Sequence, residues 1–594
     1  MKYSDLMLDW LKELGYTKCF YVAGGNIMHL LDSARNRFDC RPFVHEVATV
    51  IAAEYFNEVS SEKAFALVTA GPGLTNAVTG FAGAYLESRF VLVIGGQVKS
   101  SDLAGDSLRQ RGIQEIDGLA IVKPVTAGAY RIAAPVTKVE LQAMLASGQA
   151  KRPGPVFLEM CLDAQGAPVE PSALEGATPP AAVASRPASN EAWKPELAEM
   201  IANARRPVLL LGGGLSRKAA LAAQARLGTM NIPVMTTWNG ADRIAADHPL
   251  YFGRPNTWGQ RDSNILLQQA DLVLALGTRL GLQQTGFNWK AFAPVGKVVQ
   301  VDIDRSELEK GHPRVDLPIE ADAASVLDFI LDEPSPDTAE WLAFCRQVRE
   351  TLAGIDTNKT GAAYLDPFAF ARRLSSLAKD EDIIVPCSSG GAFTVMMQAF
   401  AQKQGQRMIT NKGLASMGYG LSGALGASLA APDRRVILVE GDGGFAQNVQ
   451  EIGTAVAMQS NLKIFIFDDN GYASIRMTQR NYFGGSYMGC DTSTGLGLPK
   501  WDALFAAYGL PVLRLGHEWY EDEAVRAALD GPGPVAFLVP VDPEQTYMPK
   551  ITSRVAPGGS MVSNPLHAMS PDLAEPIAAK VFRYMPSPYG ASQS

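Results

Sequence analysis

Short apolar runs alternate with longer segments of mixed polarity along most of this 594-residue chain. Examples are FALV at 65–68, VLLL at 208–211 and VILV at 436–439, and glycine follows each run within three residues. Short, fully apolar runs are typical of strands that are buried on both faces of a parallel sheet. We therefore predict an α/β protein that is built from doubly wound parallel sheets.

Two segments interrupt this alternation and divide the chain. One, at 165–188, is rich in Pro, Ala and Ser, and the other, at 332–364, contains EPSPD. Compositions of this kind are typical of linkers. Pro and Gly are also scattered through 551–594, which predicts a tail or lid. The three predicted α/β domains cover 1–164, 189–331 and 365–550.

Composition narrows the class of protein. Hydrophobic residues make up 47% of the chain and charged residues 19%, which predicts a soluble globular protein. The net charge of −8 provides no basic surface for nucleic acid. No apolar run reaches the ~18 residues that span a bilayer, and the amphipathic start MKYSDLMLDWLKELGY is unlike a signal peptide. The six cysteines form no CxxC pair, which favours reduced thiols in the cytoplasm.

Positions 441–476 carry the strongest chemical signal. The turn GDGG at 441–444 follows a predicted strand, and the next predicted strand, at 462–467, is followed by Asp469. Parallel strands with a right-handed crossover place their carboxyl ends side by side. We therefore expect Asp442 and Asp469, 27 residues apart, to be neighbours. Two carboxylates beside a helix N-terminus suit a Mg²⁺ ion that also binds phosphate oxygens.

This unit resembles the thiamine diphosphate (ThDP) motif, a GDG turn followed by an NN pair, of the enzymes related to decarboxylases and acetolactate synthases. In the sequence at hand, Asp469 stands where the family has asparagine, which retains an oxygen ligand and adds negative charge. The resemblance implies that the Mg²⁺ ligands are Asp442, Asp469 and the backbone carbonyl of Gly471. It implies cofactor contacts for Gly443, Gly444 and Tyr472.

The first domain has a glutamate, Glu46, at the start of a predicted helix in FVHEV. By itself, a first-turn glutamate complements the helix dipole. With VAGGNIMHLLD, LVTAGPGLTNAVTGFAGAYLES and VLVIGGQ in this order, it resembles the pyrimidine-binding domain of acetolactate synthase-like ThDP enzymes. The resemblance implies that Glu46 hydrogen-bonds the aminopyrimidine ring, a role suited to a carboxyl buried in apolar surroundings. It implies a place near the reaction centre for Gln114, and cofactor contacts for Gly25, Thr69, Gly71 and Asn76.

Two segments of the third domain extend the resemblance. CSSGGA at 387–392 offers small residues where a backbone can approach a phosphate. NKGLASMGYG at 411–420 resembles the family segment whose methionine supports the bent cofactor. The implied residues are Gly390, Gly391 and Ala392 at the diphosphate, Met417 as the support, and the Ala415 carbonyl as acceptor for the 4′-amino group.

The middle domain resembles the flavin-containing branch of this family, in which FAD does no redox chemistry. The matching segments include LGTRL, TGFNW and VVQVDID. Other ThDP enzymes leave this domain empty or bind a different nucleotide there. Strand ends in α/β sheets are common nucleotide sites. We expect FAD besides ThDP and Mg²⁺, with contacts from Gly212, Gly213, Gly277, Thr278 and Arg279.

The substrate acceptor is indicated by two departures from acetolactate synthases. Those enzymes bind a second 2-keto acid with an arginine in the middle domain and a tryptophan after the metal motif, and here the positions hold Gln283 and Thr478. Without the arginine there is no bidentate carboxylate clamp, and without the tryptophan there is more space. Both changes favour a larger, neutral ketone.

The segments GIQEID, GRPNTWGQR and SNPLHAMSP resemble ThDP enzymes that add an acetyl branch to nucleotide-activated keto-deoxysugars, as in yersiniose-type pathways. The resemblance implies decarboxylation of pyruvate and transfer of an acetyl anion equivalent to a ketone, for example on a CDP-linked 4-keto-dideoxyhexose. Alternatives are an acetolactate synthase, a pyruvate decarboxylase-like enzyme or a lyase of a 2-hydroxyacyl compound. A different class is a non-catalytic ThDP-fold subunit with a binding or regulatory role.

The resemblance also implies an assembly. In the family, the glutamate of one subunit meets the diphosphate site of another, so the active site forms in a homodimer or homotetramer. The expected partners are small-molecule substrates, with no nucleic acid and no membrane, and the expected location is the cytoplasm.

Overall fold

The computed structural model describes residues 1–105, 108–150, 152–176, 191–555, 558–559 and 561–585. The chain forms two compact units. The first draws on the described parts of Met1–Arg186, Glu381–Phe393 and Ile409–Pro540, and the second on those of Pro187–Asp380, Thr394–Met408 and Val541–Ser594. The predicted first and third domains therefore contribute most of their residues to one unit.

The first domain is a parallel α/β sheet. Its strands are β1 Tyr16–Tyr21, β2 Asp39–Pro42, β3 Lys63–Val68, β4 Leu92–Gln97, β5 Gly128–Ile132 and β6 Val156–Cys161. Their order is β2-β1-β3-β4-β6-β5. Its helices are α1 Tyr3–Glu13, α2 Met28–Ala34, α3 Glu46–Val59, α4 Pro72–Leu86, α5 Gly118–Val122, α6 Lys138–Ser147, α7 Leu162–Gly166 and α8 Pro171–Leu174. The chain leaves β1 and β3 in opposite directions, which opens a crevice at their carboxyl ends.

The middle domain has a second parallel sheet. Its strands are β7 Pro207–Leu211, β8 Val234–Thr236, β9 Leu272–Leu276, β10 Lys297–Asp302 and β11 Leu317–Glu320, in the order β11-β10-β9-β7-β8. Its helices are α9 Lys194–Asn203, α10 Arg217–Leu227, α11 Arg261–Gln269, α12 Leu282–Thr285, α13 Arg305–Glu309 and α14 Ala323–Asp332. Strands β7 and β9 are fully buried, as their uninterrupted apolar sequences predict.

Beyond the middle sheet, the chain forms α15 Ala339–Leu352 and α16 Pro367–Leu377. The former lies inside 332–364, which the sequence analysis assigned to a linker. Its apolar face, including Trp341 and Phe344, is buried in the core of the middle domain. Much of this range is therefore packed structure. The other predicted linker, 165–188, begins with α7 and α8, and its residues 177–188 lie outside the described residues.

The third domain contains the remaining parallel strands. They are β12 Ile383–Val385, β13 Arg407–Met408, β14 Val436–Gly441, β15 Leu462–Asp468, β16 Val512–Arg514 and β17 Val535–Pro540. Among them, β12, β14, β15, β17 and β16 are neighbours in that order. The helices are α17 Gly390–Ala399, α18 Tyr419–Ala430, α19 Asp442–Phe445, α20 Glu451–Ala457, α21 Ala473–Tyr482, α22 Trp501–Tyr508 and α23 Glu523–Asp530.

The C-terminal segment is attached to the second unit. It forms an antiparallel pair, β18 Ser553–Val555 with β19 Met561–Ser563, and then α24 Glu575–Val581. Leu566 and Val581 are fully buried in the core of the middle domain. The described part of 551–594, predicted as a tail or lid, thus includes anchored structure. No helix in the described part of the chain is long and apolar enough to cross a membrane.

Inside the first unit, α3 packs along α18 around a buried charge cluster. Glu54 is fully buried and accepts hydrogen bonds from Arg89, at 2.7 Å, and from the Tyr419 hydroxyl. Burial raises the pKa of Glu54, and the charge of Arg89 opposes that rise. Because the other end of α3 carries Glu46, this cluster fixes the helix on which the predicted catalytic carboxylate stands.

Candidate active site

Adjacent strands bring the two predicted metal-binding carboxylates together. In the β14–β15 register, Gly441 lies opposite Phe467, so the residues that follow both strands share one sheet edge. The Asp442 carboxylate accepts the backbone N–H of Gly443 at 2.6 Å and that of Gly471 at 3.1 Å. The predicted ligand loop is therefore closed onto the glycine turn without any further group.

The carboxyl of Asp469 carries one of the buried oxygens that have no hydrogen-bond partner. Its side chain is buried against Asp442, and its Oδ1 atom has no hydrogen-bond partner. Burial, followed by the Asp442 charge, raises the pKa of Asp469 well above its ordinary value, and burial raises that of Asp442 to about 7. Buried acceptors without partners are rare in native proteins unless an ion or water binds there. A divalent cation would satisfy both groups.

These residues fit Mg²⁺, which takes few carboxylates and completes its shell with phosphate oxygens and carbonyls. The described residues contain no cluster of three or more His, Cys, Asp and Glu side chains that could hold a metal. The predicted ligands differ from such a cluster, because they are two carboxylates and the Gly471 carbonyl. Phosphate oxygens would supply the remaining Mg²⁺ ligands. Gly471, at φ +129°, has a backbone conformation that disfavours other residues, and a Cβ there would collide with the Cys490 carbonyl.

From the GDGG turn onward, the chain forms three successive helical segments. Helix α19 begins at Asp442, a 3-10 turn covers Ala446–Asn448, and α20 follows. Gly443 and Gly444 lie in the first turn, where glycine lowers helix stability and leaves backbone N–H groups accessible. A Cβ at Gly443 would lie 2.6 Å from the ring of Tyr472. Tyr472 therefore packs against the turn.

Two further predicted cofactor segments also meet in the first unit. The Ser388 hydroxyl donates to the Ser416 carbonyl, and Ala415 has a φ of +57°. Met417 is 37% exposed, which is unusual for methionine used as core filler. Gly390 has open space where a Cβ would be, whereas Gly391 and Ala392 are buried. The open positions of Met417 and Gly390 leave room for a ligand.

In the first domain, Glu46 is the first residue of α3. Asn76 on α4 donates to its Oε2 atom at 3.0 Å. Glu46 is half-buried in the single chain, less buried than the sequence analysis expected of this carboxyl. Glu451 at the start of α20 accepts the backbone N–H of His45 at 2.9 Å, which ties the beginning of α3 to the third domain.

The loop that carries Gln114 lies close to the turn after β3. Gln114 is exposed and has a φ of +63°, and a Cβ at Gly71 would lie 2.5 Å from its carbonyl oxygen. Glu115 holds the loop by accepting the backbone N–H groups of Arg111 at 2.8 Å and Gly112 at 2.9 Å. Gly71 and Gln114 therefore lie next to each other at the crevice between β1 and β3.

Other predicted contacts of this domain lie at the same crevice. The Thr69 hydroxyl is buried without a hydrogen-bond partner, and Gly24 packs directly against Thr69. Gly25, the next residue, has nothing within 4 Å of the position a Cβ would take. An unmatched hydroxyl beside an open glycine is consistent with a ligand at this edge.

Reasoning from sequence missed three residues that organise the site. They are Glu115, Glu451 and Arg476. Arg476 is 2% exposed and donates to the carbonyl of Asp469 at 2.7 Å. Buried charged residues are rare unless they are paired, but a sequence does not reveal burial. The one available signal was the charge of these residues inside otherwise apolar or glycine-rich motifs.

The middle domain places its predicted residues at the carboxyl ends of β7 and β9. The two loops pack on each other: the Gly214 N–H donates to the Gly277 carbonyl at 2.9 Å, and a Cβ at Gly212 would collide with that carbonyl. The Thr278 hydroxyl accepts the Leu280 N–H at 3.3 Å. A Cβ at Gly213 would be 3.1 Å from Asn239, and the Arg279 carbonyl accepts from Lys310.

Comparison with known families agrees with this arrangement. Three models match in chain order: the N-terminal TPP binding domain of thiamine pyrophosphate enzymes at residues 1–121, the central domain at 195–330, and the C-terminal TPP binding domain at 389–539. Together they cover more than half of the chain. The chain belongs to the thiamine pyrophosphate enzymes. Each match falls largely within one of the predicted α/β domains, and the three-domain fold is confirmed.

Several thiamine pyrophosphate enzymes are similar over nearly their full length. The acetolactate synthase isozyme 1 large subunit of Escherichia coli is 29% identical, over 92% of this chain and 95% of its own length. The isozyme 2 large subunit of the same organism is 28% identical, over 94% and 98%. A probable acetolactate synthase large subunit of Methanocaldococcus jannaschii is also 28% identical, over 95% of each chain. The protein is accordingly a ThDP-dependent enzyme of the acetolactate synthase-like carboligase and lyase group.

Proposed function

We propose that this enzyme decarboxylates pyruvate and adds the resulting acetyl anion equivalent to the carbonyl carbon of a second substrate. The observation that carries the proposal is the pair Asp442 and Asp469, buried side by side with one carboxylate oxygen unmatched. Full-length similarity to acetolactate synthases supports pyruvate as donor. In this reading Asp442, Asp469 and the Gly471 carbonyl hold Mg²⁺ and, through it, a diphosphate.

The residues of the pyrimidine-binding domain would control a proton. Glu46 presents a carboxylate that Asn76 orients through the bond to Oε2. A carboxyl held this way can share a proton with a ring nitrogen at the other Oε atom. The bound cofactor supplies the electron sink for decarboxylation. Gln114, on the loop beside Gly71, would contact a substrate oxygen in that crevice.

We infer that the acceptor is a neutral ketone larger than a second pyruvate. Gln283 stands at the start of α12, where its backbone carbonyl accepts from Thr257 at 3.0 Å. Thr478 is exposed on α21, where its hydroxyl donates to the Ser474 carbonyl. Neither side chain can clamp a carboxylate in a bidentate fashion. A nucleotide-linked keto-deoxysugar, such as a CDP-linked 4-keto-dideoxyhexose, matches these requirements.

The second candidate is an acetolactate synthase, which transfers the same group to a second 2-keto acid. The observation in its favour is that the relatives described above carry this name over almost their full length. FAD in the middle domain and a homodimer or homotetramer also belong to the proposal. An absorbance band of bound flavin and the mass of the particle in solution would test these two points.

The deciding experiment is product analysis with pyruvate, ThDP and Mg²⁺, and with Glu46→Gln as the control. We expect slow release of carbon dioxide, little acetolactate, and a loss of about 100-fold or more in the control. Adding a nucleotide 4-keto-deoxysugar should increase pyruvate consumption and yield a branched product. Rapid acetolactate formation from pyruvate alone would favour the second candidate. No decarboxylation under any condition would overturn the donor reaction itself.

A further inference from the structure

Three aspartates place negative charge around the segment from Asp469 to Gly471, which is the predicted ligand loop. Asp442 follows β14, and Asp468 and Asp469 end β15 and begin the loop after it. The Gly471 N–H donates to the Asp442 carboxylate at 3.1 Å, which holds the loop that carries Asp469 against Asp442. A cation alone would not explain this excess, because family members achieve metal binding with an amide at the second position.

Each of these carboxylates is balanced by a different donor. Asp442 accepts the backbone N–H groups of Gly443 and Gly471. Asp468 accepts from Arg514 at 2.9 Å on the exposed side of the sheet edge. Asp469 faces the guanidinium of Arg476, with 3.7 Å between Oδ1 and Nη2.

Arg476 is placed to act on the whole loop. It lies on α21, one turn after the loop, and is buried to 2% exposure. Its Nη2 donates to the carbonyl of Asp469 at 2.7 Å and its Nη1 to that of Asn470 at 3.3 Å. A third carboxylate, Asp491, has an oxygen 3.7 Å from Nη1, so the guanidinium bridges two chain segments.

These contacts satisfy the carbonyls that precede the predicted Gly471 ligand. Gly471 forms a bridge with Asp491, and the next N–H donates to the Cys490 carbonyl at 2.8 Å. The segment from Asp469 to Gly471 is therefore held from one side by Arg476 and from the other by the segment 490–491. A planar guanidinium with several fixed donors suits this task, whereas an ammonium would make fewer of these bonds.

We propose that Arg476 is the positioning residue of the metal site: it offsets the charge of Asp469 and fixes the loop that carries the Gly471 carbonyl. This inference rests on the proposed binding of Mg²⁺ and ThDP. It explains how the chain carries aspartate where the family has an amide, because the carboxylate and the guanidinium together present about the same net charge to the metal as a neutral side chain.

The test is a double-mutant cycle on Mg²⁺ affinity, measured by calorimetry at a saturating concentration of ThDP. Asp469→Asn removes the carboxylate that faces the guanidinium beside the cation, leaving Asp491 on its other side, and should weaken Mg²⁺ binding about 10-fold. Arg476→Met removes both carbonyl bonds and should weaken assembly of the Mg²⁺–ThDP complex by about 10- to 100-fold. In the double variant the charges balance again, so it should bind at least about 5-fold more tightly than the product of the single losses.

A purely structural role predicts another pattern. In that case the two substitutions would couple in the unfolding temperature of the metal-free protein, while their effects on Mg²⁺ affinity would simply multiply. Multiplicative losses in affinity, or unchanged affinity in Arg476→Met, would overturn the proposal. Arg514→Met is the matched control, because it removes a partly exposed arginine from the neighbouring Asp468, and its effect should stay within about 2-fold.

A second variant tests the proposal if Arg476→Met does not fold. Arg476→Lys keeps the charge but loses the planar arrangement of guanidinium donors. Its Mg²⁺ affinity should lie between those of the wild type and the double variant Asp469→Asn/Arg476→Met. Wild-type affinity in the folded Lys variant would contradict the loop-fixing role. If the wild-type protein itself bound no Mg²⁺–ThDP, the proposed function would fall, and this result is distinct from a failure of the cycle.

Discussion

Two glycine-rich strand ends of this enzyme look alike in sequence and differ in their polar groups. At the carboxyl ends of β14 and β15, the GDGG turn leaves an Asp469 oxygen buried and unmatched. At the carboxyl ends of β7 and β9, Gly214 and Gly277 hydrogen-bond each other, and the neighbouring Thr278 hydroxyl accepts a backbone N–H. The first region leaves a carboxylate oxygen without a hydrogen bond, whereas the atoms left without one near the second region are neutral, for example the Thr236 hydroxyl and the Gln300 amide oxygen.

The difference shows what a glycine turn can and cannot indicate. Glycine is required in both places because another backbone or ring approaches closely. In the middle domain that approach comes from the protein, so the glycines are explained without FAD. In the third domain, close packing explains Gly443 and Gly471, while the buried Asp469 Oδ1 atom still lacks a hydrogen-bond partner. The two regions differ in a buried carboxylate oxygen that lacks a hydrogen bond, and they do not differ in their need for glycine.

The largest expected effect comes from removing the first carboxylate. Asp442→Asn should reduce activity on the order of 1,000-fold, because a metal ligand that stabilises charge in the reaction is lost. Calorimetry should show weak or absent Mg²⁺–ThDP binding. The unfolding temperature of the metal-free protein should be unchanged or raised, because two like charges no longer face each other. Asp468→Asn is the control. If Asp442→Asn bound Mg²⁺–ThDP almost normally, the proposed difference between the two glycine-rich strand ends would be wrong.

An intermediate effect is expected from Gly277→Ala in the middle domain. Gly277 has a φ of +63°, and a Cβ there would lie 2.6 Å from the Leu215 nitrogen. Strain and displacement of the facing loop should lower the free energy of unfolding by about 2–4 kcal/mol. Chemical denaturation measures the loss. Gly281→Ala, at φ −69° with open space around it, should stay within about 0.5 kcal/mol. Equal losses in the two variants would contradict the packing explanation.

The smallest expected effect concerns a partly buried histidine beside the middle domain. Burial lowers the pKa of His567 to about 4 from its ordinary 6.5, and its Nδ1 lies 3.2 Å from the Gln268 amide nitrogen. The unfolded chain takes up this proton first, so the contribution to stability is present above pH 6.5 and is lost as the pH falls toward 4. The loss approaches about 3 kcal/mol at most.

We therefore expect the stability difference between wild type and His567→Gln to shrink on acidification. Thermal unfolding at pH 8, 6 and 5 measures it, and the pH 8 pair serves as the reference for any loss of packing. The shift should be the same with and without Mg²⁺–ThDP, because the residues proposed to hold the cofactor do not contact His567. A difference that stays constant with pH would mean that His567 does not titrate in this window.

Much of the fold was predictable from the chain alone. The uninterrupted apolar runs at β7, β9 and β14 identified buried parallel strands, and the position of Asp442 and Asp469 after two such strands predicted their proximity. The range 332–364 was harder, because Pro-rich composition at one end concealed the amphipathic helix α15. The site residues Glu46 and Met417 could be named by resemblance, but their exposure could not.

The sequence by itself determined the parallel α/β architecture, the order of the domains and the identity of the two carboxylates, because these follow from local patterns of apolar runs and glycine turns. The tertiary structure decided which polar groups find partners. Arg476 reaches Asp469 and Asp491, and Glu451 reaches the start of α3, through contacts between segments that are distant in the chain. Such pairings depend on burial and on the packing of elements against one another, which hydrophobic periodicity does not encode.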